Sequence, residues 1–166
     1  MPSAQPKIPQ AYRYWIHLPG SLTQALRQRS PEFRVDVLDE RHLLVNPPVA
    51  GLDSGTGARR YWSRKVRLCD GDRPWVMAHT LVPEHSLRSG LGQLTRLGGR
   101  PLGELLFTTP GVTKDNLQVA ETPVGWGRRA RYWFQGQPLM VTEFFLEDLI
   151  RYEHQRLSTL SETDPS

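Results

Sequence analysis

One cysteine, three lysines and no long apolar stretch are the scarcities of this 166-residue chain, and each removes a class of answers. The lone thiol, Cys69, excludes an internal disulfide and any cysteine-based zinc site. The most apolar segment, Leu139-Met140-Val141 and then Phe144-Phe145-Leu146, is interrupted by Thr142 and Glu143. It falls short of the ~20 apolar residues a membrane helix needs, so no membrane span is expected. Met1 to Gln10 hold three prolines and no apolar block of signal-peptide length, which leads to the expectation of a cytoplasmic protein with a flexible start. None of the five histidines stands at metal-ligand spacing with another, so no metal is expected. No Gly-x-Ser-x-Gly elbow supports a serine triad. Gly90-x-Gly92 lacks the third glycine of a dinucleotide fingerprint, and no repeat of solenoid or propeller length is present.

What is present describes one folded domain: 38% hydrophobic and 23% charged residues, with a mean hydropathy of -0.49. Basic residues number 21 against 17 acidic ones, and nearly all are arginine. Arginine grips carboxylates and phosphates through a planar fork, which suits either nucleic acid or a small anion. The run Arg128-Arg129-Ala130-Arg131-Tyr132-Trp133 mixes basic and aromatic residues, but a strand with an exposed basic face explains it equally well. No recognised binding motif accompanies it, so no nucleic-acid partner is expected.

The patterning is mostly that of strands. Phe33, Val35 and Val37 alternate with Arg34 and Asp36, and Tyr61 to Cys69 sets Trp62, Val66 and Leu68 against Ser63, Lys65 and Arg67. Further strands are expected over Trp75 to Val82, Asn116 to Ala120, Arg128 to Phe134 and Leu139 to Leu146. Asp70-Gly71-Asp72 and Gln135-Gly136-Gln137-Pro138 read as hairpin turns. Asn46 to Gly57 and Gly98 to Gly103 read as loops. Helical spacing is confined to Leu22, Ala25 and Leu26 after the cap candidate Ser21, to Leu87, Leu91 and Leu94 before Gly98-Gly99, and to a short turn over Leu102 to Phe107. Strands joined by hairpins, without a helix after each, predict an α+β domain built on an antiparallel sheet. The domain is expected over residues 11–157, with residues 1–10 and 158–166 flexible.

Two residues break the pattern. Arg64 falls by alternation on the face of Trp62, Val66 and Leu68. Either it points inward, where a guanidinium must meet a carboxylate, or the register is off by one and it lies outside. Glu143 shares a face with Val141 and Phe145, so it is either paired with an arginine, Arg64 being one candidate, or protonated. An inward Arg and an inward Glu inside an apolar cavity are how small-anion pockets are lined.

The stretches Gly20-Ser21-Leu22-Thr23, Arg60-Tyr61-Trp62-Ser63-Arg64, Leu68-Cys69, Pro74-Trp75, Thr80-Leu81-Val82-Pro83, Leu97 to Gly103, Leu106-Phe107-Thr108, Trp126-Gly127-Arg128-Arg129 and Leu139 to Leu146 occur in order. Over Ala11 to Leu146 they resemble the bacterial chorismate pyruvate-lyases of ubiquinone biosynthesis. The resemblance implies a single-domain antiparallel sheet with helices packed on one side, enclosing a ligand cavity under flap-like segments. It also implies conversion of chorismate to 4-hydroxybenzoate and pyruvate, without metal or organic cofactor, by an expected monomer. Carried over residue by residue, it implies that Arg64 holds the aromatic-acid carboxylate, that Glu143 faces the hydroxyl end, and that the backbones of Leu22 and Leu102 cradle the carboxylate. Where that family commonly has an arginine before Thr-x-Val-Pro, this chain has His79, implied as a substitute cation for the pyruvyl carboxylate. The alternative is a neutral histidine packed against Trp75 and Met77. A second reading of the same fold is a domain that binds 4-hydroxybenzoate or a similar effector without catalysis, as in certain transcription regulators. The lack of an N-terminal helix-turn-helix pattern counts against the regulator form of that reading.

Overall fold

The computed structural model describes residues 7–162. Its centre is a six-stranded sheet in the order β1-β2-β3-β6-β5-β4, antiparallel throughout. The strands are β1 (Phe33–Val45), β2 (Arg59–Asp70), β3 (Arg73–Pro83), β4 (Thr113–Thr122), β5 (Gly125–Phe134) and β6 (Gln137–Phe145). Two three-stranded meanders thus meet where β3 pairs with β6, and the expected α+β architecture is the one observed. Both predicted hairpins form. Gly71 supplies a φ of 56° between β2 and β3, while Gln135 and Gly136, at 52° and 77°, make the two-residue turn between β5 and β6. Positive φ at both central positions matches the twist of the flanking strands.

The helices α1 (Gln10–Ile16), α2 (Leu22–Arg29), α4 (Leu102–Thr108) and α5 (Glu147–Glu162) pack on one face of the sheet, while the single turn α3 (Glu84–Ser86) follows β3 directly and sets His85 3.1 Å from Asp53. Helix α2 starts where expected, with Ser21 Oγ accepting from the Gln24 amide and Arg27 and Arg29 in its last turn. The core under α1, α2 and α5 joins Trp15, Leu26 and Leu149 to Val76 and Phe145, and a second cluster under α4 joins Leu102 and Leu106 to Leu139 and Val141. The Asn46 to Gly57 segment is a loop that folds over the opposite face, where Leu52 packs on Tyr61 and Met140. Tyr61 anchors that loop, donating from its hydroxyl to Asp53 at 2.7 Å and accepting from the Val49 amide at 2.9 Å. Burial, then the bond to Asp53, pushes its phenol up to about 12.

Three expectations change. The helix expected over Leu87 to Leu94 is broken at Ser89-Gly90, where Gly90 takes a φ of 120°. Its leucines still reach the core, Leu91 and Leu94 being buried. Helices α1 and α5 were not expected. Helix α5 buries Leu149, Ile150 and Glu153 and continues through residues 158–162, the first part of the tail expected to be flexible. Residues 1–6 and 163–166 of the two termini expected to be flexible lie outside the described residues.

Candidate functional site

The sheet has two unlike faces, and strand parity decides which residues meet the helices. Across the central strands, Arg64 pairs with Thr80 and Thr80 with Val141, while Val66 pairs with Ala78, Ala78 with Glu143 and Glu143 with Arg128. Residues directly opposite each other in an antiparallel ladder share a face. All of these therefore belong to the helix-covered side, where they line a pocket with Tyr132. Its roof comes from the first turns of two helices: Leu22 and Thr23 of α2, then Leu102 and Gly103 of α4 after Pro101. Gly103 permits their approach, since a Cβ there would stand 2.8 Å from Thr23 Oγ1.

Arg64 does point inward. It is 3% exposed and reaches Glu40 of β1 through Nε at 3.2 Å, with Nη2 donating to the carbonyls of Gly98 and Arg100 at 3.0 and 2.9 Å. Burial pulls its pKa below the ordinary guanidinium range and Glu40 opposes the shift; a guanidinium stays charged regardless. Nη1 takes no part in these three bonds. The Gly98 to Gly103 segment, expected as a loop, leads into α4 and thus serves as the clamp on this arginine.

Glu143 is ion-paired, but with Arg128 and not with Arg64. Arg128 Nε donates to Glu143 Oε1 at 2.8 Å. Its Nη1 is shared among the carbonyls of Trp15, Ile16 and Leu18 at 3.1, 3.3 and 3.1 Å. These lie at the end of α1 and just beyond it. The Arg128–Trp133 run thus splits by parity. Arg128 is buried, whereas Arg129 and Arg131 face the other side and bond Gln118 and Asp115. The sequence offered two explanations of this run, nucleic-acid binding and an exposed basic strand face, and neither foresees a buried Arg128. The signal that it points inward was the alternation of Trp126, Arg128, Ala130, Tyr132 and Phe134, all of them buried. Glu40, the partner of Arg64, is marked by nothing in its local pattern, and Thr23, part of the Gly20 to Thr23 stretch, was not among the site candidates although it lines the pocket. Tyr132 is raised above the ordinary phenol range by burial first, then by Glu143.

The structure brings together four of the five sequence candidates, Leu22, Arg64, Leu102 and Glu143, in one pocket. It excludes the fifth. His79 pairs with Lys65 on one side and Thr142 on the other, on the face away from the helices. Its Nε2 lies 2.8 Å from Ser63 Oγ, and burial, followed by the charge of Lys65, lowers its pKa. The expected grouping with Trp75 fails because the β2–β3 register slips between Leu68 and Cys69. Trp75 falls in that bulge and turns into the core with Trp15 and Tyr152, so the parity count from Trp75 to His79 is off by one. Among the described residues, no three His, Cys, Asp or Glu side chains gather as a metal site, and no helix is long and apolar enough to cross a membrane.

The chain is similar to known proteins over most of its length. The family model described as chorismate lyase matches residues 2–156. The chorismate pyruvate-lyase of Enterobacter sp. (strain 638) is 34% identical over 132 residues, covering 80% of each chain. That of Salmonella arizonae is 35% identical over 148 residues, covering 88% of this chain and 86% of the relative. Among solved structures, a GntR-family transcriptional regulator from Bacillus cereus superposes with a TM-score of 0.47 at 12% identity, over 70% of this chain and 93% of that one.

Proposed function

The chain belongs to the chorismate lyase family, and from that premise we propose that the pocket between Arg64 and Glu143 converts chorismate to 4-hydroxybenzoate and pyruvate. The observation that carries the reading is the meeting of these two side chains, from β2 and β6, in one pocket under the starts of α2 and α4. In the reaction the C–O bond of the enolpyruvyl ether breaks, a ring proton leaves and the ring becomes aromatic. The departing enol takes a proton at its methylene carbon and becomes pyruvate. Aromatisation supplies most of the driving force, so the protein's task is to hold the dianion in a reactive conformation and keep water out.

Arg64, steadied by Glu40 and two carbonyls, receives the ring carboxylate, helped by the backbone at Leu22 and Leu102. Glu143, held by Arg128, faces the hydroxyl end of the ring. The pocket has a volume of about 40 Å3, and one water needs about 10–15 Å3 on this measure. A ten-carbon acid needs more, so its entry parts the α2–α4 seam, where Arg27 and Glu104 form an exposed ion pair at 3.4 Å. This is the proposed sense in which the ligand cavity is enclosed. The reading takes the enzyme as a cytoplasmic monomer, without cofactor because the elimination transfers no electrons to an acceptor.

Incubating the purified protein with chorismate and EDTA while recording the ultraviolet spectrum tests it. The chorismate spectrum should give way to that of 4-hydroxybenzoate with stoichiometric pyruvate. Tight binding of 4-hydroxybenzoate with no turnover in any buffer would instead favour a non-catalytic binding domain, and turnover only after a divalent metal is added would refute the cofactor-free route.

A further inference from the structure

The pocket's own charges cancel. Arg64 is matched by Glu40 and Arg128 by Glu143, so two guanidiniums meet two carboxylates before any ligand arrives. Chorismate brings two more negative charges. The ring carboxylate has Arg64, but a second carboxylate brought to a neutral, partly desolvated site needs a cation of its own. His79, the sequence candidate for that task, lies on the opposite face of the sheet.

Lys114 lies on the right face. It is the register partner of Tyr132 in the β4–β5 ladder, Tyr132 lines the pocket, and directly opposed residues project from the same side. It stands in none of the ion pairs formed among the described residues. Although Lys114 is exposed as a residue, its ammonium is partly desolvated. Its pKa is lowered by that burial first and then by Arg128, with Glu143 opposing, so its charge sits within the field of that buried pair. Phe107, 43% exposed and also lining the pocket, shows that the pocket reaches the protein surface. An ammonium on a flexible four-carbon stem suits a group that must be met at a rim and released again.

Resting on the lyase reading above, we propose that Lys114 receives the enolpyruvyl carboxylate of chorismate at the rim of the pocket, making it a residue that selects the dianionic substrate over the monoanionic aromatic product. When the ether bond breaks, that carboxylate leaves with pyruvate. 4-Hydroxybenzoate keeps only the carboxylate at Arg64, so the Lys114 contact is made by substrate and not by the aromatic product.

The test compares chorismate kinetics with 4-hydroxybenzoate affinity, the latter by tryptophan fluorescence titration. Lys114→Met should raise KM for chorismate about tenfold, the effect of one charge-assisted hydrogen bond at a partly solvated site. It should leave the Kd for 4-hydroxybenzoate within about twofold of wild type, a difference worth less than a hydrogen bond. Lys114→Arg should recover most of the loss, and Lys65→Met, on the opposite face, should change neither quantity. An unchanged KM in Lys114→Met, or an equal loss of both ligands, overturns the proposal. Should Lys114→Met not fold, raising salt on the wild type from about 0.05 to 0.5 M, enough to screen a rim charge, should raise KM for chorismate more than Kd for 4-hydroxybenzoate. Equal responses overturn the proposal as well. Wild-type protein that binds but never turns over chorismate sinks the lyase reading and this inference with it, whereas active wild type with an indifferent Lys114 sinks this inference alone.

Discussion

Replacing Arg128 by methionine removes one member of the ion pair at the base of the pocket while keeping an unbranched chain of similar reach. The Arg128 side chain is 5% exposed and that of Glu143 13%, so water does little for the charge left behind. Four contacts vanish: Nε to Glu143 Oε1 at 2.8 Å, and Nη1 to the carbonyls of Trp15, Ile16 and Leu18. The last three tie the end of α1 to β5, and α1 carries Trp15 into the core. Breaking a buried pair from one side costs about 3–5 kcal/mol, most of it the uncompensated partner. A domain of this kind is stable by about 5–15 kcal/mol, so the variant should remain folded at room temperature with a lower midpoint. At roughly 2–4 °C per kcal/mol for a chain of this length, the melting temperature should drop by about 6–20 °C. Urea unfolding followed by tryptophan fluorescence should show the midpoint falling with an unchanged slope. Adding Glu143→Gln removes the orphaned carboxylate, and the double variant should be more stable than the sum of the single losses by about 1–3 kcal/mol. A loss below about 1 kcal/mol, the range of exposed pairs, or a cycle without coupling, would refute the argument that each charge depends on the other.

Three further outcomes are expected. Arg64→Ala should weaken product binding by about 1.5–3 kcal/mol through the lost charge-assisted bond and slow turnover, whereas Arg67→Ala, on the opposite face with a half-exposed partner in Asp36, should change binding by less than about 0.5 kcal/mol; isothermal titration with 4-hydroxybenzoate separates them. Glu143→Gln keeps the shape and hydrogen-bonding capacity of the side chain without its charge, so it should still bind 4-hydroxybenzoate and turn over chorismate at least tenfold more slowly, by analogy with the loss of a positioned acid–base group; unchanged turnover would remove Glu143 from the chemistry. His79 has its pKa lowered in the folded protein, by burial and then Lys65, so below the ordinary imidazole value of about 6.5 the unfolded chain binds more protons and stability falls as pH drops through that range. His79→Gln should flatten that acid limb in urea titrations, and His79→Arg should leave the alkaline limb of the rate profile where it is, contrary to a role for the imidazole as a substrate cation.

Much of the site was legible because strand alternation is local. In β2 the period of two runs unbroken from Trp62 to Leu68, so alternation put Arg64 on the apolar face or, with a one-residue slip, outside, and the contact with Glu40 decides for the inward placement by supplying the carboxylate it required. Glu143 was legible for the same reason, since it stands among apolar residues on a strand without an interruption. His79 was misplaced because one bulge at Trp75 inverts the count, and the slip between Leu68 and Cys69 is a property of the pair of strands. Arg128 was hidden by its company: three arginines in four residues look like a solvated face until the buried partners of one of them are known. Helix α5 did carry a buried stripe, Leu149 and Ile150 followed by Glu153 with its arginine partners, but the charged Glu153 and the polar composition around it obscured the helical spacing.

The amino-acid sequence by itself determined the class of fold, the two hairpins and the start of α2 at Ser21, because each depends on dihedral preferences or spacing within a few residues; for Arg64 it left two registers open, and the fold chose the inward one. Tertiary structure alone decided that β3 lies against β6, which brings Arg64 and Glu143 to one pocket from strands nearly eighty residues apart. It also decided which cation meets which carboxylate: Glu40 with Arg64, Arg128 with Glu143, and Lys114 left over on the pocket's own face. Coulomb energy depends on distance and desolvation, and neither exists until distant strands are brought side by side.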